Sequence, residues 1–230
     1  MSDVKITKNF FVYGTVRYFR GGAENIVLAA CGEKEDPIGP KASLTVYNTI
    51  PREHLKGRVR HIRVNEIDWN SQSKGEVETA AQLTYFTASG SGTASFSYEK
   101  AKSARLRLTK FVIDEGDLKA MLNKDAHAAR KFLADTGKDG RVVSGVFVVL
   151  DGKLEESFST AVSSGGSVSA SLTKAAELQL TANHGGGKSG STTIVLAKRS
   201  TFAYVQHKVK KWNKDKTQIE ELELDTHGLG

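Results

Sequence analysis

The sequence predicts an α+β protein of one domain, a twisted antiparallel sheet with long hairpins and few helices. β-Branched and aromatic runs dominate the first third of the chain, and two later stretches alternate apolar and polar residues over far more than a normal strand length of about 5–6 residues. Only one segment has helical periodicity, and no strand–helix rhythm runs along the chain, which argues against a doubly wound nucleotide-binding fold.

The elements follow in order. FFVYGTVRYF (10–19), NIVLAAC (25–31), ASLTVYNTI (42–50) and VRHIRVNEI (59–67) read as strands separated by Gly, Pro or charge clusters. Val77, Thr79, Ala81, Leu83 and Tyr85 share one parity, the turn ASGSG (88–92) follows, and Ala94, Phe96 and Tyr98 continue on a returning strand, a long hairpin. Leu118, Met121, Leu122, Ala129, Phe132 and Leu133 fall on one helical stripe, predicting a single helix of about five turns with Asp114 as N-cap and Gly137 as its close. Val142, Val146, Val148, Leu150, Leu154, Phe158 and Val162 then share one parity, and after SSGG (163–166) so do Val168, Ala170, Leu172, Ala176, Leu178, Leu180 and Ala182. Unbroken, the first arm would extend about 70 Å at about 3.4 Å per residue, too long for a globule of this size. Two readings stay open: shorter strands joined by turns near Asp151-Gly152, or a strand pair bent in the soluble form that straightens later. A membrane-crossing strand needs only about 9–11 residues with one apolar face.

Composition bounds the function. Of 230 residues, 39% are hydrophobic and 26% charged, with 33 basic against 26 acidic side chains and a net charge of +7. That favours an acidic partner, a nucleic acid or an anionic membrane surface. A single cysteine, Cys31, excludes a disulfide framework and a cysteine-rich zinc site. No run of 18 apolar residues encodes a transmembrane helix, and MSDVKITKNF lacks the apolar core of a signal peptide, so a cytoplasmic location is expected.

Residues 182–189, Ala-Asn-His-Gly-Gly-Gly-Lys-Ser, satisfy a relaxed phosphate-loop pattern, but the β-branched GSTTIVLAKR that follows predicts a strand where that loop needs a helix N-terminus. A glycine turn is the favoured reading. The six histidines lack metal-ligand spacing, no G-x-S-x-G elbow exists, and no catalytic residue, cofactor or metal is expected. Charge is blocked near the end. Lys198, Arg199, Lys208, Lys210, Lys211, Lys214 and Lys216 against Asp215 give +6, interleaved with Phe202, Tyr204 and Trp212, and Glu220, Glu221, Glu223 and Asp225 then give −4. No nucleic-acid motif accompanies the basic segment. It suits anionic lipid headgroups, or equally a strand edge guarded by lysine.

The order of these elements resembles the pore-forming domain of the gasdermins, in the microbial type without a large C-terminal inhibitory domain. ARLRLTKFVIDEGDLKAMLNK (104–124) resembles the family's strand-to-helix passage, and GRVVSGVFVVLDGKLEE (140–156) the long strand after it. STTIVLAKRSTFAYVQHKVKKW (191–212) is similar to the closing passage, and residues 75–100 fit the first hairpin more loosely. The resemblance implies a pore-forming domain over 1–212 and a short charged C-terminal tail over 213–230. It implies a monomer, cytoplasmic when soluble and at the cell membrane when active, that binds acidic phospholipid, forms a homo-oligomer and inserts β-hairpins as a closed barrel, with room for an inhibitory or activating partner protein and none for nucleic acid. Lys198, Arg199, Lys208, Lys210, Lys211 and Trp212 would meet lipid. Leu83, Tyr85, Phe96 and Tyr98 would line the first membrane hairpin, and Val146, Val148, Leu150, Phe158, Val168, Leu172, Leu178 and Leu180 the second. Lys100, Lys102, Lys174 and Glu156 share that parity and would have to sit near an interface. The rival reading is a β-rich assembly protein, a tube or ring component of a phage or secretion apparatus that leaves lipid alone. A nucleotide-hydrolysing or nucleic-acid-binding domain comes third.

Overall fold

One strand, VVSGVFVV within Gly140–Leu150, carries apolar residues on both faces and has no solvated side, so the rest of the chain has to cover it twice. The computed structural model describes residues 4–6, 10–35, 43–63, 83–86, 93–96, 107–150, 176–183, 191–197, 201–227 and 229. Among these lie three α-helices and a mostly antiparallel sheet curled into a half-barrel. The strands are β1 (Val4–Ile6), β2 (Phe10–Tyr13), β3 (Val16–Phe19), β4 (Ala30–Glu35), β5 (Ser43–Thr49), β6 (Val59–Arg63), β7 (Leu83–Phe86), β8 (Thr93–Phe96), β9 (Arg107–Ile113), β10 (Gly140–Leu150), β11 (Ala176–Asn183), β12 (Ser191–Ala197), β13 (Thr201–Trp212) and β14 (Ile219–Asp225). The helices are α1 (Arg52–Leu55), α2 (Glu115–Lys124) and α3 (His127–Thr136).

The sheet runs β1-β2-β3-β13-β10-β9-β6-β11-β12, with β14 on β13, the β4–β5 pair on β10, and the β7–β8 pair reaching β10 through β7. β10 meets β13, β4 and β9 antiparallel and β7 parallel. Every residue from Arg141 to Val148 is buried. Val142, Val146 and Val148 belong to one core cluster with Leu118, Met121, Leu122 and Leu133 of α2 and α3. Elsewhere the β2–β3 hairpin supplies aromatics: Phe147 packs edge-on against Phe11 at 5.0 Å and Tyr18 at 4.7 Å. Lys110 of β9 lies over the Tyr18 and Phe147 rings and donates to the Tyr18 hydroxyl at 2.9 Å. Burial pushes the Tyr18 phenol up to about 12, and burial together with the Arg60 charge lowers Lys110 from its ordinary value.

Several sequence expectations resolve differently. FFVYGTVRYF is a hairpin, not one strand: Tyr13 pairs with Val16, and Gly14 takes the turn at φ +66°. Only the end of NIVLAAC is strand, because Ala29 adopts φ +64° and gives its N–H to the Val143 carbonyl at 2.9 Å. β5 matches its predicted run, and β6 holds the first part of VRHIRVNEI, the remainder lying outside the described residues. The single helix is two. Its apolar stripe is buried except at Phe132, which is half-buried, but the helix stops at Asp125, whose carboxylate pairs with Arg58 at 2.8 Å, and Arg130 of α3 donates to the Leu122 and Asn123 carbonyls that end α2. Asp114 stands at the N-cap position, yet its carboxylate meets Arg60 and caps nothing. Residues 213–230, set apart by charge, are built into the sheet through β14, with Ile219, Leu222 and Leu229 in the core.

The strands converge on one buried carboxylate. Asp225 Oδ2 accepts from Lys34 Nζ at 2.9 Å, Arg141 Nε at 2.7 Å and Gln206 Nε2 at 3.2 Å, which gathers β4, β10 and β13 onto β14. Its Oδ1 accepts the His227 backbone N–H at 3.1 Å, and Lys34 also donates to the His227 carbonyl at 2.6 Å. Burial pushes the Asp225 carboxyl up, but the hydrogen bonds and charges of Arg141 and Lys34 outweigh it and hold it below the usual carboxylate value. Asp225→Asn leaves two buried cations short of their counter-charge, and the expected loss is about 3–5 kcal/mol of unfolding free energy. Urea denaturation followed by circular dichroism measures it; a loss under about 1 kcal/mol would mean the cations find other compensation.

Candidate functional site

The basic segment and the acidic segment that sequence counting kept apart are neighbours in the sheet. β13 and β14 pair antiparallel, and a bulge between Val209 and Lys211 leaves Lys210 as the extra residue. Lys208 then meets Glu223 at 3.3 Å, Lys210 meets Glu221 at 2.7 Å and Lys211 meets Glu220 at 2.6 Å. Hydrogen bonds and charge from Glu221 and Glu220 hold the Lys210 and Lys211 ammonium groups above their ordinary value. The lysine row expected to meet lipid is therefore a cross-strand ion-pair ladder, exposed but neutralised. Trp212 is half-buried and packs against the core, not out toward a surface. Lys198 and Arg199 lie outside the described residues.

The expected membrane strands divide three ways. In the first hairpin, Leu83 pairs opposite Phe96 and Tyr85 opposite Ala94, so positions 83, 85, 94 and 96 fall on one side of the ladder, as the alternation predicts. Tyr98 lies outside the described residues. In the second stretch, Val146 and Val148 are wholly buried core residues, and their strand is covered on both faces where the parity predicted one. Leu150 ends β10, and Leu178 and Leu180 lie on β11, which pairs with β12 and β6. β9 and β6 stand between β10 and β11 in the strand order, so these two arms are not neighbours in this structure. Phe158, Val168 and Leu172 lie outside the described residues.

A geometric relation among β6, β9 and β10 was not visible in the sequence. Thr109 of β9 pairs with Arg63, the last residue of β6, and Leu150, the last residue of β10, pairs with Arg107, the first of β9. The points where these three adjacent strands pass into segments 64–106 and 151–175 therefore lie side by side on one border of the sheet. Those segments carry most of both long alternating stretches.

The glycine loop falls between β11 and β12, where Asn183 pairs with Ser191. A strand, not a helix, follows the loop, so the phosphate-loop geometry lacks its helix N-terminus. Cys31 is wholly buried, and burial pushes its thiol up to about 12, which leaves it a packing residue. One polar constellation escaped the sequence reading altogether. His207 of β13 places Nδ1 2.9 Å from Ser144 Oγ of β10 and Nε2 3.6 Å from Glu115 Oε2 at the start of α2. The composition matches a nucleophile–base–acid set, but Ser144 is 1% exposed and presents no hydroxyl to a substrate. Its residues come from three separate elements, and no spacing could have announced it.

Comparison with known proteins adds no constraint: no family model, curated protein or solved structure matches the chain.

Two expectations follow from these side chains. Burial lowers the His207 pKa from its ordinary 6.5, with Glu115 opposing, so the unfolded chain binds that proton more tightly than the folded one. Stability from this group is complete above pH 6.5 and falls as pH drops through and below 6.5. Melting temperature measured from pH 8 to pH 5 should decline in the wild type, and His207→Gln should flatten that decline; an unchanged slope would exclude His207 as its source. The ladder gives the second. Glu220→Gln, Glu221→Gln and Glu223→Gln together should free the three lysines and strengthen co-sedimentation with anionic vesicles, by up to about fivefold per lysine. Lys208→Glu, Lys210→Glu and Lys211→Glu together should abolish it, and binding that ignores both sets would remove β13 from the lipid surface.

Proposed function

We propose that the chain is a gasdermin-like pore former. It binds acidic lipid, oligomerises, and extends two β-hairpins per subunit into a closed barrel that permeabilises the membrane. The observation that carries this reading is the shared border at which β6, β9 and β10 end. Three adjacent antiparallel strands already in register can lengthen together once β7 leaves its parallel pairing with β10 at Leu150, because each new residue pair continues a ladder that exists. In lipid only a closed barrel satisfies every backbone N–H and C=O, so the lengthened strands of neighbouring subunits must meet edge to edge. Among the described residues no helix is long and apolar enough to cross a membrane.

Val146 and Val148 set a limit on the mechanism. Both belong to the core, so the lipid-facing part of the second hairpin begins beyond β10, at positions 154–180, and the sheet below it stays closed. The expected test is leakage of dye from anionic but not neutral liposomes. Leu172→Lys should destroy leakage without lowering the melting temperature, whereas Ser171→Lys should leave it, since opposite parity faces water in the lumen. Environment-sensitive labels at 170, 171, 172 and 173 should alternate between lipid and water after vesicles are added. Four water-exposed labels during active leakage would sink the hairpin assignment.

A second reading rests on a specific observation. The lysine ladder on β13 is neutralised by β14, which suits a β-rich ring or tube component that assembles without lipid. Rings or tubes seen by electron microscopy in the absence of membranes, with no leakage from anionic vesicles, would favour it over the pore.

A further inference from the structure

We propose that the cleft between the 137–139 turn and the β13–β14 ladder binds a compact phosphate-class oxyanion, with Arg141 as its floor. The cleft encloses about 450 Å³. Arg141 is buried, with its side chain 7% exposed, and three acceptors fix its guanidinium plane. Nε donates to Asp225 at 2.7 Å, and Nη1 donates to the carbonyls of Lys138 at 2.6 Å and Gly140 at 3.0 Å. Nη2 makes no hydrogen bond among the described residues, although Arg141 lines the cleft. A guanidinium held this way is pre-organised: the ordering cost is already met, and the Nη2 amino group remains for an oxyanion.

The other charges of the cleft sort into spent and unspent. Asp225 is occupied by Arg141, Lys34 and Gln206, Glu223 by Lys208 at 3.3 Å, and Lys210 by Glu221 at 2.7 Å. Lys138 lines the cleft and makes no side-chain ion pair among the described residues, and His227 lines the same cleft. Arg141, Lys138 and His227 thus offer three donors to one small anion. A phosphomonoester has three non-bridging oxygens to meet them, and inorganic phosphate four, where a carboxylate has two. Asp139 and Glu223 also line the cleft, and their charge repels an extended polyanion such as nucleic acid while tolerating a single compact group. The phosphate could belong to a free phosphomonoester or to a phosphomonoester lipid headgroup. The free-anion measurement needs no membrane, so its failure and the failure of the pore reading are separate results.

The experiment is a thermal melt of the full chain titrated with inorganic phosphate at constant ionic strength, using chloride as the balancing salt. A ligand bound only by the folded state raises the melting temperature saturably. Lys138→Ala, an exposed position with nothing to unfold, should shift the saturation midpoint about tenfold upward, as expected for losing one charge-assisted contact. Arg141→Lys, if it folds, should abolish the effect, because one ammonium cannot serve Asp225 and the two carbonyls and still present a donor to the cleft. No rise, or an unsaturable rise identical in wild type and Lys138→Ala, would overturn the site, the latter being the general exclusion effect of phosphate salts. Vesicles containing phosphatidic acid supply the second arm. Given the saturable shift, phosphate that displaces the protein from them assigns the lipid headgroup, and vesicle binding indifferent to both phosphate and Lys138→Ala assigns the free anion.

Discussion

A single carboxylate holds four strands in register. Asp225 accepts from side chains on β4, β10 and β13 while sitting on β14, so it fixes the place where the main path of the sheet and its branches meet. Removing three charged groups from water is expensive, and only dense hydrogen bonding makes such a cluster tolerable. The compensation is specificity. A slip of β14 by one residue along β13 would move Asp225 off Gln206, its register partner, and strand Lys34 and Arg141 in the interior. An apolar residue at 225 would pack in either register; the carboxylate does not.

That anchoring lets β10 be apolar on both faces. A strand without a solvated side has no parity of its own to defend its register, so its neighbours must do it. The aliphatic side is set by α2 and α3, and the aromatic side by the β2–β3 hairpin around Phe147. Backbone pairing between β3 and β13 is confined to Phe19 and Tyr204. The hairpin is consequently held more by ring packing, and by Arg17 donating to the Leu229 carbonyl at 2.9 Å, than by a ladder. Removal of the C-terminal strand would therefore be felt at the opposite end of the chain.

What could be read in advance was local. Alternation located the Leu83–Phe96 hairpin with the correct facing positions, because period two is written in consecutive residues. The buried stripe of Leu118, Met121, Leu122, Ala129 and Leu133 was legible for the same reason, while the break at Asp125 was not, since it depends on Arg58 and on Arg130 reaching back to carbonyls. The lysine row illustrates the limit best. Counting gave a basic block and an acidic block, and both are real, but the ladder that cancels them is a cross-strand relation with a bulge in it. Ser144, His207 and Glu115 meet only after three elements have packed. Asp225 looked like one more acid in a charged run, and nothing in its neighbours' identity marks it as buried.

The span of the central cluster has a consequence in time. Lys34 and Asp225 are separated by 191 positions, and Arg17 and Leu229 by 212. A ribosome adding about 5–20 residues per second needs roughly 10–40 s to bridge the first interval. Through that delay β4 is synthesised while its ammonium has no counter-charge, and β10 emerges before β13 exists to cover its edge. Long-range strand pairing of this kind folds slowly even when the whole chain is present. The nascent chain therefore carries sticky, unpaired strands until β14 has been made, and only then can the central cluster close.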